Sequence, residues 1–245
     1  MERAQQILSL LQKTYPDAKM ILEYSNNFEL LVAVILSAQC TDKMVNIVTA
    51  KLFPKYRKKY QVLGSMYHAY KDMTTLPENE LVEIVNFAFI NREELEQDIK
   101  STGFYKNKAK NVQGAAKLIL EKFHGEIPKT ISEMLTIPGV ARKTANVVLG
   151  NAYHIYEGIA VDTHVKRLSH RLGLTKHTDP NKIEQDLIKQ FNPDLIGVNQ
   201  KEWFSLTYLL IEHGRQICIA QKPKCDQCVL KKLCPAAFNF PHFVK

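Results

Sequence analysis

Apolar positions recur at helical spacing along nearly the whole chain. Ile7, Leu8, Leu11 and Tyr15 form one face of an N-terminal helix, which Pro16 stops. Phe28 to Leu36 is apolar almost all round, as a helix at the centre of a core must be. Val112, Ala115, Ala116, Ile119 and Leu120 mark another apolar face, and Val165, Leu168 and Leu172 a further one. Trp203 to Ile211 predicts an apolar helix that ends near Gly214. No convincing run alternates with the strand period of two, and no short repeat is visible. The pattern predicts an all-α protein.

The breakers between these faces are as informative as the faces. Thr130 and Glu133 have capping-box spacing ahead of Ile131, Met134 and Leu135. Pro138-Gly139 then breaks the helix, and a second helix is expected to run to Gly150 as its C′ residue. A glycine-containing turn that opens a helix presents free N–H groups at a positive dipole end, which favours a phosphate. Lys143 falls in the first turn of that second helix. The dipole disfavours its ammonium there, so its pKa is expected to fall and free amine to accumulate. An amine beside a phosphate cradle suits nucleophilic attack on a sugar. Most lysines at helix starts are simply solvated. Asp162, in Val161-Asp162-Thr163-His164, precedes a helical pattern and reads equally well as an N-cap.

At 245 residues, 45% of them hydrophobic, the chain has ample core for one large domain or two smaller ones. Its net charge of +8 and pI of about 9.1 fit a polyanionic partner, as they do for ribosomal and membrane-surface proteins. No apolar run is long enough to span a bilayer and no targeting segment is visible. The expectation is a cytoplasmic protein with no membrane partner.

Cys218, Cys225, Cys228 and Cys234 have the spacing C-x6-C-x2-C-x5-C. Four thiols in so short a segment point to metal ligation. Disulfides are disfavoured in a reducing compartment and in a chain with a core of this size. Spacing alone leaves zinc and iron both open. Cys40 lies in an apolar run and is expected to be buried.

Taken together, the hairpin, Lys143 at its exit, the Val-Asp-Thr-His segment and the four cysteines closely resemble the endonuclease III family. The resemblance runs from Leu30 through Ser37-Ala38-Gln39 to Cys234. Members of that family are DNA glycosylase/AP lyases. It implies a six-helix barrel over residues 20–155, with the helix-hairpin-helix near 131–150. A second helical domain, residues 1–19 plus 156–245, would hold a [4Fe–4S] cluster on the four cysteines. The two domains would flank a DNA-binding cleft, with Lys143 and Asp162 on its opposite sides. The implied substrate is duplex DNA with oxidised pyrimidines or abasic sites, bound by a monomer at the nucleoid of a prokaryote.

The resemblance also implies roles. Lys143 would attack C1′ and Asp162 would stabilise the developing positive charge. Gln39 and Phe104 would fill the space left by an extruded base, Phe104 standing where leucine is often found. N–H groups around Gly139 and Ala141 would hold phosphate, as would Lys222 and Lys224. Plain packing for Phe104 and plain solvation for the lysines are the alternatives. Ala141 replaces the last glycine of the family's Gly-Val-Gly, and its methyl is expected to hinder phosphate slightly. Residues 54–98 are expected to carry an insertion of about twenty residues, a length that costs little in closure entropy, and Leu81, Ile84 and Val85 predict one extra helix in it. The insertion is either a tolerated surface segment or a contact to DNA or a partner through Lys55, Arg57, Lys58 and Lys59. Two other activities fit the same framework. A monofunctional mismatch glycosylase would activate water and lack the lysine. The adenine–mismatch enzymes also carry a C-terminal recognition domain, which residues 235–245 do not supply. A non-catalytic DNA-binding or redox-sensing Fe–S protein would need neither Lys143 nor Asp162.

Overall fold

The computed structural model describes residues 2–58, 64–192 and 199–239. Among them are twelve α-helices and no strand, so the all-α expectation holds. None of these helices is long and apolar enough to cross a membrane. Contacts divide the chain into a central unit, residues 21–153, and a terminal unit, residues 1–20 plus 154–245.

The central unit contains α2 (Asn27–Leu36), α3 (Asp42–Tyr56), α4 (Gly64–Lys71), α5 (Glu78–Phe89), α6 (Arg92–Asp98), α7 (Tyr105–Phe123), α8 (Ile131–Met134) and α9 (Arg142–Tyr153). Every residue of α2 from Phe28 to Leu36 is buried, as its uninterrupted apolar run requires. α7 packs along α5 through Val112, Ala115, Ala116, Ile119 and Leu120, all buried. The terminal unit joins α1 (Glu2–Thr14) to α10 (Thr163–Arg171), α11 (Pro180–Gln190) and α12 (Gln200–Gln216). Ile7, Leu8, Leu11, Leu168, Leu206 and Leu210 meet in its core.

Two local expectations need correction, those at Gly150 and Cys40. Gly150 does not end α9, which runs on to Tyr153. The Tyr153 hydroxyl donates to Ile127 O at 2.7 Å, and this anchor offsets the cost of about 1 kcal/mol for an interior glycine. His154, at φ +56, is the left-handed residue that follows the helix. α12 ends near Gly214 as expected, at Gln216, with Gly214 in its last turn. A Cβ there would stand 2.9 Å from His164 Nδ1, so the glycine permits close approach to α10. Cys40 is half-buried, not buried, because it sits in the turn after α2 and not on the helix.

Residues 54–98 hold three helices, α4, α5 and α6, and the helix expected at Leu81, Ile84 and Val85 is α5. Helix α6 has a single buried apolar residue, Leu95, and so no visible periodicity. Its start is favoured by the Asn91 cap on Glu93 N–H and by acidic Glu93 and Glu94 at the positive dipole end. Lys55 bonds Glu94 and Asp98 at 2.7 Å each, and Arg57 pairs with the buried Glu29. Two of the four cations offered as a contact surface are therefore committed within the unit, while Lys59 lies outside the described residues.

Glu29 and Glu83 are both fully buried and share the single Arg57 guanidinium. Burial pushes the Glu83 carboxyl up to about 8; the Asn26 amide opposes this and the neighbouring Glu29 adds to it. Unfolded, the group titrates near 4.5. Between those values the folded protein holds a proton that the unfolded chain has lost. This contribution to stability is complete below about 4.5 and disappears as pH rises through about 8. Glu83→Gln should flatten that decline, as seen in urea unfolding at pH 5, 6, 7 and 8. A variant with the wild-type pH slope contradicts the assignment.

Candidate functional site

The hairpin between α8 and α9 is built as its sequence implies. Thr130 caps α8, accepting from Glu133 N–H at 3.3 Å, and its hydroxyl donates to the Glu133 carboxylate at 2.8 Å. Val140 N–H donates to Ile137 O at 3.1 Å, closing a turn with Pro138 second and Gly139 third, the latter at φ +81. That is the type II pattern, which reserves its third position for glycine. Glycine is needed for a second reason. A Cβ at Gly139 would stand 2.8 Å from Asn111 Cβ of α7. One turn along α7, Gly114 makes room for Pro138; a Cβ there would be 3.2 Å from the proline ring.

Ala141 occupies the position before α9, its carbonyl accepting from Ala145 N–H at 2.9 Å. It is exposed and has no side-chain acceptor with which to cap the helix. Its φ is not positive, so no glycine is required there, and its methyl does not point into a packed neighbour. Gly139 is likewise exposed. Lys143, in the first turn of α9, is half-exposed. Among the described residues none accepts a hydrogen bond from its side chain.

Gln39 and Phe104 share an unexpected property. Gln39 lies in the turn between α2 and α3 at φ +52, and Phe104 precedes α7 at φ +48. Non-glycine residues rarely hold positive φ, and such residues cluster at working sites. Both are exposed, and 65% of Phe104 is accessible. A large apolar ring displayed on a strained turn is not core packing.

In the terminal unit, the buried run Ile159, Ala160, Val161 leads into Asp162. Its Oδ1 accepts from Val165 N–H at 2.7 Å and caps α10. The capping role is therefore present, worth about 1 kcal/mol. Asp162 is half-exposed, and its carboxylate has a second oxygen for other use.

Cys218, Cys225, Cys228 and Cys234 line one cavity with Ile217, Ala236 and the cations Arg171, Lys224 and Lys231. Burial pushes the Cys228 thiol up to about 11, and negative charge on Cys218, Cys234 and Cys225 adds to the rise. Four sulfurs that penalise one another's ionisation fit a bound cationic centre, which reverses that penalty. Lys222 and Lys224 are exposed on the loop between the first two cysteines.

The surroundings of the sulfurs went unseen in the sequence. Arg171, buried on α10, donates to Cys218 Sγ at 3.3 Å, Ile219 O at 2.9 Å and Ala220 O at 2.6 Å. His213 lies 3.3 Å from Cys228 Sγ through Nε2 and 2.9 Å from the Tyr15 hydroxyl through Nδ1. Burial lowers the His213 pKa to about 4, so the ring is neutral at physiological pH. The one available hint was its place on the apolar stripe Leu206, Leu209, Leu210. Arg3, at the start of α1, donates to Leu233 O at 3.1 Å, and Tyr15, just past its end, reaches the loop through His213.

Residues 32–193 match the HhH-GPD superfamily of base excision DNA repair proteins, and residues 218–234 match the iron–sulfur binding domain of endonuclease III. The cofactor is thus a [4Fe–4S] cluster. A Synechocystis endonuclease III is 48% identical over 96% of this chain and 93% of its own length. A solved endonuclease III in a non-covalent complex with DNA aligns with TM-score 0.77 and 40% identity, covering 96% of each chain. A solved endonuclease III–DNA covalent intermediate with an estranged adenine aligns with TM-score 0.77 and 40% identity, over 96% of this chain and 97% of that one. With its hairpin, its cysteine loop and nearly its full length matched in this way, the chain belongs to the endonuclease III family of base excision repair DNA glycosylase/lyases.

Proposed function

We propose that the protein removes oxidised pyrimidines from duplex DNA and then cuts the strand, with Lys143 as nucleophile. The carrying observation is the half-exposed Lys143 in the first turn of α9, directly behind the Pro138–Gly139 turn and an exposed, uncapped Ala141. Uncapped N–H groups at a helix start suit a DNA phosphate. A phosphate held there brings the adjoining deoxyribose to the amine.

The amine of Lys143 forms a bond to C1′ as the C1′–base bond breaks, and the electron pair leaves with the base, which takes up a proton. The C1′–O4′ bond then opens, O4′ is protonated and an iminium remains. Loss of a C2′ proton expels the 3′ phosphate by β-elimination. Water later releases the lysine. Asp162 stabilises the positive charge on the sugar with the oxygen not engaged by Val165 N–H. Gln39 and Phe104 take the space of the extruded base, whose unstacking costs a few kcal/mol. The solved relative trapped as a covalent intermediate with DNA supports this route.

In the same reading, residues 20–155 are the six-helix barrel domain, including the hairpin near 131–150 and the insertion within 54–98, and residues 1–19 with 156–245 are the cluster domain of a monomer acting in the cytoplasm. The cluster would be held by Cys218, Cys225, Cys228 and Cys234. It supplies rigidity and no electrons, fastening the loop on which Lys222 and Lys224 meet the backbone.

Lys143→Gln should bind damaged duplex but lose borohydride trapping on thymine-glycol DNA. Trapping at the wild-type level would assign the chemistry to another amine. Asp162→Asn should keep its fold while single-turnover excision drops at least a hundredfold, on the order expected for loss of a transition-state charge. Unchanged excision would leave Asp162 a cap only.

DNA affinity should fall with salt, and Lys222→Ala with Lys224→Ala should flatten that slope by up to about two phosphate contacts. An unchanged slope moves both lysines off the DNA. Cys225→Ser should lower iron from about four per chain and weaken DNA binding in parallel. Full affinity without the cluster would remove its role as a clamp.

A further inference from the structure

Lys108 has no part in the chemistry above, yet it occupies a costly position. It lies on α7 one turn beyond Phe104, with only 4% of its surface exposed. Burial lowers its pKa, and the Cys40 sulfur, close enough to interact, opposes the shift. Chains rarely bury an ammonium to this degree unless something requires it.

Its side chain holds a piece of backbone. Nζ donates to Thr102 O at 2.7 Å, and the Lys108 backbone N–H donates to Phe104 O at 3.1 Å. The two bonds straddle Gly103 and Phe104, consecutive residues at φ +67 and +48. A phenylalanine in the left-handed region persists only where its surroundings hold it. Packing does not do so at this turn. A Cβ on Gly103 would meet nothing within 4 Å, and the Phe104 ring is exposed. Hydrogen bonds are what remain, and Thr102 itself is fastened to Ile99 O through both N–H (2.9 Å) and Oγ1 (2.8 Å). Cys40, whose charge opposes the lowering of the Lys108 pKa, adjoins Gln39, itself left-handed. One buried amine thus underlies the Phe104 turn.

We propose that Lys108 is a positioning residue: its bond to Thr102 O locks the Gly103–Phe104 turn in the conformation that presents the Phe104 ring for base extrusion. The proposal rests on the reading of Phe104 as a gap-filling residue. A ring fixed in advance loses less freedom on inserting into DNA than one on a loose turn. Lys108 therefore matters for lesions that must be extruded and not for sites that have already lost their base.

Lys108→Met keeps the aliphatic stem and removes the donor. Single-turnover excision of thymine glycol should fall about tenfold or more, while cleavage of a preformed abasic site stays within about twofold, because only the first needs a base extruded. Phe104→Ala should give the same split, and the double variant should be no slower than Phe104→Ala alone, as for residues acting as one unit. Wild-type excision by Lys108→Met, or equal loss of both activities, overturns the proposal. If Phe104→Ala excises at the wild-type rate, the gap-filling reading has failed and takes the proposal with it. If only Lys108→Met is silent, the gap-filling reading stands and the proposal alone falls. Should thermal melting show Lys108→Met unfolded, Gly103→Ala disturbs the same turn through its φ without a clash. The same split is expected, and wild-type excision by folded Gly103→Ala overturns the lock.

Discussion

The close seat of the Pro138–Gly139 turn on α7 is the contact on which the site depends. Gly139 lies where any side chain would strike Asn111, and Pro138 rests where any side chain on Gly114 would crowd it. Two missing side chains, one on each partner, let backbone meet helix directly. The turn's rotation and depth are thereby set, and with them the direction of α9 and the position of Lys143 in its first turn. The same α7 begins at the Phe104 turn. Asn111 and Gly114 follow Phe104 by two to three helical turns, roughly 10–15 Å at the α-helical rise. The hairpin turn that leads into α9 and the turn that displays Phe104 are thus both tied to one helix, α7, within the central unit. Chemistry at a sugar loses orders of magnitude when its groups are misplaced by an ångström.

The terminal unit solves a different problem with different means. Its cysteine loop has little regular structure, only the single 3-10 turn Cys225–Gln227. Buried polar side chains hold it from several directions. Arg171 gathers the carbonyls of Ile219 and Ala220, His213 bridges Tyr15 to Cys228, and Arg3 reaches Leu233 O. Such groups are stabilising only when their hydrogen bonds are made, so the loop and its bound cluster are ordered together. The exposed Lys222 and Lys224 then project from a firm base, which would spare them ordering entropy in the proposed contact with phosphate.

Much of this was legible in residue order where the cause is local. The faces of α2 and α7 follow from periodicity, the hairpin from Pro138-Gly139 and the Asp162 cap from its place before Val165. Distant causes left no such trace. Gly150 reads as a helix end until Tyr153 is seen bonded to Ile127, and the closeness of Gly214 to His164 is not visible in either one's neighbours. Arg171 and His213 lie 47 and 15 residues from the sulfurs they meet, with nothing in their own neighbourhoods to announce it. The left-handed turns at Gln39 and Phe104 have no signature in an L-residue sequence, because glycine is the only reliable marker of positive φ. The cations at Lys55 and Arg57 read as free charge until their carboxylates, brought in by α2 and α6, are placed beside them.

The central claim, that one amine at the exit of the hairpin performs the chemistry, is tested most directly by mapping the covalent bond. The holoenzyme would be reduced with borohydride on duplex DNA containing a single thymine glycol, digested, and the adducted peptide sequenced by mass spectrometry. The account predicts one reduced sugar adduct, on Lys143. An adduct on Lys108, on the N-terminal amine or on any other lysine, with Lys143 unmodified, would contradict it.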